Sequence, residues 1–218
     1  MPAQAAPWLL YSSPTSPFVR KVRIVAIERG LIGRIHQVQQ NPFVEDAAFV
    51  ASNPIAQIPT LEAEGLIMTD SALIVDWLEA RGEGPPLVPT GEAQWEVRQR
   101  VMFADGVQQC GIRWRIENLR DPSARWPEWV DRLHRGLQRG FDRLEETLPG
   151  EEVFDLGVIN AVIAASYLSY RHPGYDWRTG RPRLVARVDM LERTRPSFVA
   201  TLPGTPLEHE AALLAGVS

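Results

Sequence analysis

The sequence predicts a molecule in two parts: a compact α/β domain over residues 1–82, a linker over 83–90 and an all-helical domain over 91–218. Three observations predict it. Short apolar runs alternate with helix-period patterns through the first eighty residues. Residues 82–90 then hold three prolines and two glycines, the texture of a linker. Beyond them the strand signals fade, and apolar residues recur at helical spacing with Pro or Gly in the gaps.

The elements follow in order. Residues 8–11 are an apolar run ended by Ser12-Ser13-Pro14, which reads as a buried strand and a loop. Ser16-Pro17 opens a helix, with Ser16 at the N-cap and Pro17 at the first helical position. Phe18, Val22 and Val25, with Ile24 and Ile27, give that helix broad apolar faces, and Gly30 stops it. A second strand is expected at residues 35–39 and a short helix or turn at 44–50. Asn53-Pro54 and Pro59 punctuate a loop before a strand at 60–64, and Gly65 turns the chain into residues 66–68 as an antiparallel hairpin. Thr69-Asp70-Ser71 caps another helix, striped by Leu73, Ile74, Trp77 and Leu78. The order is β-α-β-α-β-β-α. Residues 93–118, 127–147, 155–170 and 183–193 read as the helices of the second domain. From Gly204 onward a frayed tail and a short terminal helix suit the composition equally.

Composition excludes several function classes. Of 218 residues 44% are apolar and 23% charged, the profile of a soluble globular protein. A net charge of −4 argues against a dedicated nucleic-acid binder. The single cysteine, Cys110, permits no intramolecular disulfide and no thiolate zinc cluster, and points to a reducing cytoplasm. The first residues carry no positive charge, so no targeting segment is expected. No apolar run is long enough to span a membrane. His36, His134, His172 and His209 are scattered and suggest no metal site. Arg132, Arg135, Arg139 and Arg143 alternate with apolar residues and read as a solvated face.

Four stretches carry a family resemblance: Ser16-Pro17-Phe18-Val19-Arg20-Lys21-Val22-Arg23; Asn53-Pro54-Ile55-Ala56-Gln57-Ile58-Pro59-Thr60-Leu61; Thr69-Asp70-Ser71-Ala72-Leu73-Ile74; and, in the second domain, Arg171-His172-Pro173 with Arg195-Pro196-Ser197-Phe198. In this order and spacing they resemble the glutathione S-transferase family of bacterial type. The resemblance implies a thioredoxin-like glutathione-binding domain followed by a helical domain that contributes an electrophile pocket. It implies glutathione as co-substrate with no permanently bound cofactor, a cytoplasmic homodimer, and no nucleic-acid or membrane partner. One departure stands out: Asp155 can cap the core helix of the second domain, but Val158 occupies the N3 position, so the reciprocal capping box is missing.

Glutathione chemistry then assigns candidate residues. A free thiol has a pKa of about 8.5, so its thiolate needs stabilisation near neutral pH. A hydroxyl and a helix N-terminus both supply it, and Ser16 combines them. As a plain reading Ser16 is only a cap; Tyr11, Ser12, Ser13 and Thr15 are other hydroxyls nearby, with Ser13 the main rival. The resemblance implies a cis Ile58–Pro59 bond whose backbone pairs with the cysteinyl part of glutathione. Asp70 and Ser71 suit the ammonium and carboxylate of the γ-glutamyl end. Gln40, Asn41 and Gln57 are candidates for the glycyl carboxylate. Met102, Phe103, Gly106, Cys110 and Trp114, at helical intervals, are expected to line the electrophile pocket, although such a stripe also suits a core. Asp105 is a candidate to reach a neighbouring subunit's glutathione. The expected function is a glutathione transferase that activates the thiolate for attack on a small hydrophobic electrophile. A non-catalytic binding or regulatory relative is the alternative, as is a specialised glutathione-dependent isomerase, dehalogenase or peroxidase.

Overall fold

The structure, a computed structural model, describes residues 7–206. By packing the chain divides into two units: one runs to Pro86 and takes in the chain again from Pro196, and the other is Leu87–Arg195.

The first unit holds strands β1 (Trp8–Ser12), β2 (Ile35–Gln39), β3 (Thr60–Ala63) and β4 (Leu66–Thr69) in the order β2-β1-β3-β4. β1 runs parallel to β2 and antiparallel to β3, and β3–β4 is the expected hairpin. Glu64 and Gly65 make its two-residue turn at φ 52° and 78°, the positive values that match the twist of paired strands. This mixed sheet with its helices is a thioredoxin-like domain.

Helices α1 (Pro17–Glu28), α2 (Ala47–Ser52) and α3 (Ser71–Glu79) complete the unit, α1 packing on α3 and α3 on β3 and β4. α1 starts as the sequence dictates: the Ser16 hydroxyl accepts from Val19 N at 3.3 Å, and Pro17 occupies the position whose N–H would be unpaired anyway. It ends at Gly30 (φ 68°), where Leu31 N reaches Ala26 O at 2.7 Å and Gly30 N reaches Ile27 O at 3.0 Å. Those two bonds satisfy carbonyls that the last turn would leave open. α2 starts later than expected, at Ala47, because Asp46 caps it by accepting from Phe49 N at 3.0 Å.

Two features were not in the pattern. The returning chain adds a five-residue helix, α8 (Pro196–Ala200), which packs on α1; the expected helical domain therefore gives this end of its span to the first unit. Arg20, Lys21 and Arg23 of α1 are also buried, at 3%, 1% and 0% exposure. Arg20 donates to Thr201 Oγ1 and Phe198 O, both at 3.3 Å. Lys21 is the only lysine in the chain. The stretch read as a linker is anchored at both ends. Arg29 donates to Gly84 O and Pro85 O at 2.7 Å and to Gly82 O at 2.9 Å, whereas Leu87 O accepts from Leu156 N within the second unit.

In the second unit α4 (Ala93–Leu119) packs on both α5 (Pro127–Thr147) and α6 (Leu156–Arg171), and α7 (Pro182–Thr194) packs on α5 and α6. α6 is buried from Leu156 through Leu168, an all-round apolar helix at the centre. Gly111 lets α4 approach it, since a Cβ there would come within 2.9 Å of Leu168 Cδ2. Asp155 Oδ1 accepts from Val158 N at 2.8 Å, and Arg100 Nη2 meets Oδ2 at 3.1 Å. An arginine from α4 thus gives the capping carboxylate a second partner, although as a donor it does not replace the acceptor that the capping box would place at N3. Arg132, Arg135, Arg139 and Arg143 are exposed, as their pattern predicts. The tail beyond residue 206 lies outside the described residues.

Candidate functional site

One row of the sheet fixes the site. Tyr11 pairs with Thr60, Thr60 pairs with Thr69, and Ser12 pairs with Gln39. The chain leaving β1, β2 and β4 and the chain entering β3 therefore emerge at the same end. Ser13–Ser16, Gln40–Asn41, Gln57–Pro59 and Asp70–Ser71 are gathered there from four separate stretches. α1 and α3 both begin at this end, so two positive helix ends share it.

The hydroxyls sort themselves by burial and partner. Ser12 is fully buried and donates to Gln37 at 2.9 Å. Tyr11 donates to Glu62 Oε1 at 3.0 Å, and Ser52 donates to that same oxygen. Both are occupied by sheet contacts. Ser13 and Thr15 face each other at 3.3 Å in the loop, and Ser16 N donates to Ser13 O at 3.1 Å. Ser16 is half-buried at the cap of α1. Pro14 O accepts from Gly204 N at 3.0 Å, so the returning chain pins the loop.

Across from Ser16, Ile58–Pro59 is a cis peptide, with Ile58 half-buried and Pro59 buried. Asp70 is exposed at φ 72° and ψ 127°, and its carboxylate accepts from Ala72 N at 2.7 Å; Ser71 behind it is 5% exposed. Gln57 is exposed and Asn41 is exposed, with Asn41 Oδ1 accepting from Phe43 N at 3.0 Å. Gln40 corrects an expectation. It is buried, and its amide donates to Asn41 O at 3.3 Å and Val44 O at 3.1 Å, so it braces its own loop instead of facing a ligand.

Two residues that sequence reasoning passed over tie this end together. Asn53, read as loop punctuation and as the start of one family stretch but given no site role, is 2% exposed, and its amide reaches Gln57 O, Thr60 Oγ1 and Thr69 Oγ1 at 2.9, 3.0 and 3.2 Å. Thr69 is the last residue of β4, next to Asp70. The available signal was the Asn itself: a polar side chain between a helix and a proline loop has local carbonyls to bond.

The stripe on α4 divides along its length. Met102, Phe103 and Gly106 are exposed, and Cys110 and Trp114 are half-buried. Burial pushes the Cys110 thiol up from its ordinary value, although Arg113, Arg132 and Arg139 oppose it. Trp114 belongs to an aromatic cluster within the second unit, in keeping with the core alternative for this stripe. Its ring stacks on His172 at 3.7 Å and 5°, with His134 edge-on at 4.2 Å and Tyr175 at 5.6 Å. Burial pushes both histidines down and Tyr175 up to about 12. Two histidines scattered in sequence are thus brought together, while His209 lies outside the described residues. Asp105 is corrected too: it is buried and accepts from Asn160 Nδ2 at 2.9 Å, which holds α4 to α6. Among the described residues, no group of three or more His, Cys, Asp or Glu could hold a metal ion, and no helix is long and apolar enough to cross a membrane.

The chain is similar to known proteins. Residues 10–86 match the family model for the glutathione S-transferase N-terminal domain. A glutathione transferase family member from Pseudomonas fluorescens Pf-5, solved with bound glutathione, is 33% identical; the alignment covers 90% of this chain and 98% of that one, with a TM-score of 0.84. An uncharacterized GST-like protein, YibF, from Escherichia coli is 29% identical over 200 residues, which is 89% of this chain and 98% of YibF. Over 80 residues, 37% of each chain, the identity to a stringent starvation protein A homolog from Coxiella burnetii is 39%.

Proposed function

We propose that this chain, which belongs to the glutathione S-transferase family, binds glutathione at the shared end of the sheet and activates its thiol for attack on a small hydrophobic electrophile. One observation carries the reading: Ser16, Ile58–Pro59 and Asp70–Ser71, distant in sequence, converge where α1 and α3 begin. The glutathione bound to the Pseudomonas relative supports it.

The chemistry follows from those groups. Lowering a thiol pKa by about 2 units requires about 2.7 kcal/mol in favour of the thiolate. The Ser16 hydroxyl donates to sulfur while the start of α1 adds a favourable potential. The backbone of Ile58 holds the cysteinyl part, and Asp70 accepts from the γ-glutamyl ammonium beside Ser71 and the start of α3. Gln57 and Asn41 are the donors assigned to the glycyl end. Met102, Phe103, Gly106 and Cys110 are assigned to the electrophile. Catalysis is then proximity plus charge stabilisation. The protein works in the cytoplasm as a symmetric homodimer.

The test is the thiolate absorbance of bound glutathione against pH in wild type and Ser16→Ala. Loss of a hydrogen bond to a charged acceptor costs about 1.5–3 kcal/mol, so turnover at neutral pH should fall by about one to two decades. The midpoint of ionisation should move up and the deficit should shrink in alkaline buffer. Superimposable curves would transfer the role to Ser13.

A second reading is glutathione binding without turnover, which the same groups at the sheet end would also serve. Conjugation of a chlorinated nitrobenzene and reduction of a hydroperoxide, run side by side, separate transferase, peroxidase and silent binder.

A further inference from the structure

We propose that Asn53 is a positioning residue that holds the two halves of the glutathione site in register, an inference that rests on the reading above. The sheet ladder ends at the Thr60–Thr69 pair. The residues expected to grip the ligand, Gln57–Pro59 on one side and Asp70–Ser71 on the other, lie just beyond it, where strand pairing no longer sets their separation. Asn53 spans that gap. Its Nδ2 donates to Gln57 O at 2.9 Å, immediately before Ile58–Pro59, and to Thr69 Oγ1 at 3.2 Å, immediately before Asp70. A third contact, to Thr60 Oγ1 at 3.0 Å, lies between them.

The orientation of the amide is fixed by its other end. Asn53 Oδ1 accepts from Ile55 N at 3.0 Å, and a backbone N–H can only donate. Three acceptors share two amide protons, so no donor capacity is left for solvent or ligand. Asn53 is 2% exposed, and it touches no candidate substrate group itself. Its action is through others. Asp70 sits at φ 72°, a left-handed backbone that an aspartate keeps only when its neighbours hold it. Thr69, tied by Asn53, is one of those neighbours. A tripeptide gripped at its cysteinyl backbone and at its γ-glutamyl ammonium senses the distance between the grips, and misplacement of about 1 Å is costly to an aligned site.

A double-mutant cycle on glutathione affinity, read by calorimetry, tests the assignment. Thr69 is exposed, so Thr69→Val removes the Asn53 link with little change of shape and keeps the test open where Asn53→Ala fails to fold. Both variants should weaken glutathione binding by about five- to twentyfold, and Thr69→Ser should restore it. In an Asp70→Asn background, where the ammonium grip is already lost, Thr69→Val should cost less than about twofold. An equal loss in both backgrounds, or no loss in either, would overturn the positioning role. Absence of glutathione binding to the wild-type chain would instead overturn the site reading, and this inference with it.

Discussion

At position 70 an aspartate occupies backbone space that glycine would fill at lower cost. A non-glycine residue held at such a φ costs about 1–3 kcal/mol, and the cap that Asp70 makes to Ala72 N offsets part of it. Asp70→Gly relieves the strain and loses little capping, so its melting temperature should equal or exceed that of the wild type. Glutathione affinity should nevertheless fall by about ten- to a hundredfold, the value of a bond between charged groups. Calorimetry beside thermal unfolding reads both; a variant that loses stability and keeps affinity would make Asp70 a cap and nothing else. Cys110 offers a second test of this kind. Burial raises its thiol, so at pH 8 less thiolate exists in the folded chain than in the unfolded one. Alkylation followed by mass spectrometry should be slow in buffer and fast in denaturant, and equal rates would contradict the burial.

Helix α6 depends on a cap that two elements build together. Asp155 holds Val158 N with one oxygen and Arg100 with the other, the two side chains being 10% and 7% exposed. Asp155→Ala strips the buried guanidinium of its carboxylate and leaves it Thr147 O at 2.9 Å, and breaking such a pair costs about 3–5 kcal/mol. Asp155→Asn keeps the cap and should cost less. Denaturant titration of the two variants reads the difference, and equal losses would mean that the cap contributes nothing and the ion pair carries the whole effect. This element also shows what the sequence made legible. The strands, the helix starts at Ser16, Asp70 and Asp155, and the turn at Gly65 are local events, written within a few residues. The second partner of Asp155 stands 55 residues away and could not be read that way. The same holds for Arg20, whose acceptors Thr201 and Phe198 arrive with α8, a helix too short to show a period. At the site, Ser16, Ile58–Pro59 and Asp70–Ser71 were legible as motifs. Gln40 was not, because neighbouring carbonyls consume its amide, and Asn53 was not, because its partners lie on a loop and two strands.

Across the whole molecule, acid should be less well tolerated than base. His134 and His172 flank Trp114 and both have their pKa pushed below 6.5 by burial, with Arg115 and Arg171 adding to it at His172 and Asp131 opposing it at His134. Between the lowered value and 6.5 the unfolded chain binds protons that the folded chain refuses, so stability rises with pH through that window and is lost as pH falls below about 6.5. Denaturant unfolding from pH 7 to pH 5 should show this slope, and His134→Gln/His172→Gln should flatten it. Light scattering at micromolar concentration should return about twice the chain's 24.5 kDa. A monomer at every concentration would refute the homodimer. The burial of Lys21 has a practical consequence as well. With 22 arginines and one lysine, 1% exposed, the folded chain presents no ε-amine to solvent. Succinimidyl esters and lysine-directed cross-linkers should leave its folded side chains unmarked, and α1 must open before an acyl group can add to Lys21. A single mass increment at Lys21 would therefore time the opening of the first helix, a clock that needs no engineered label.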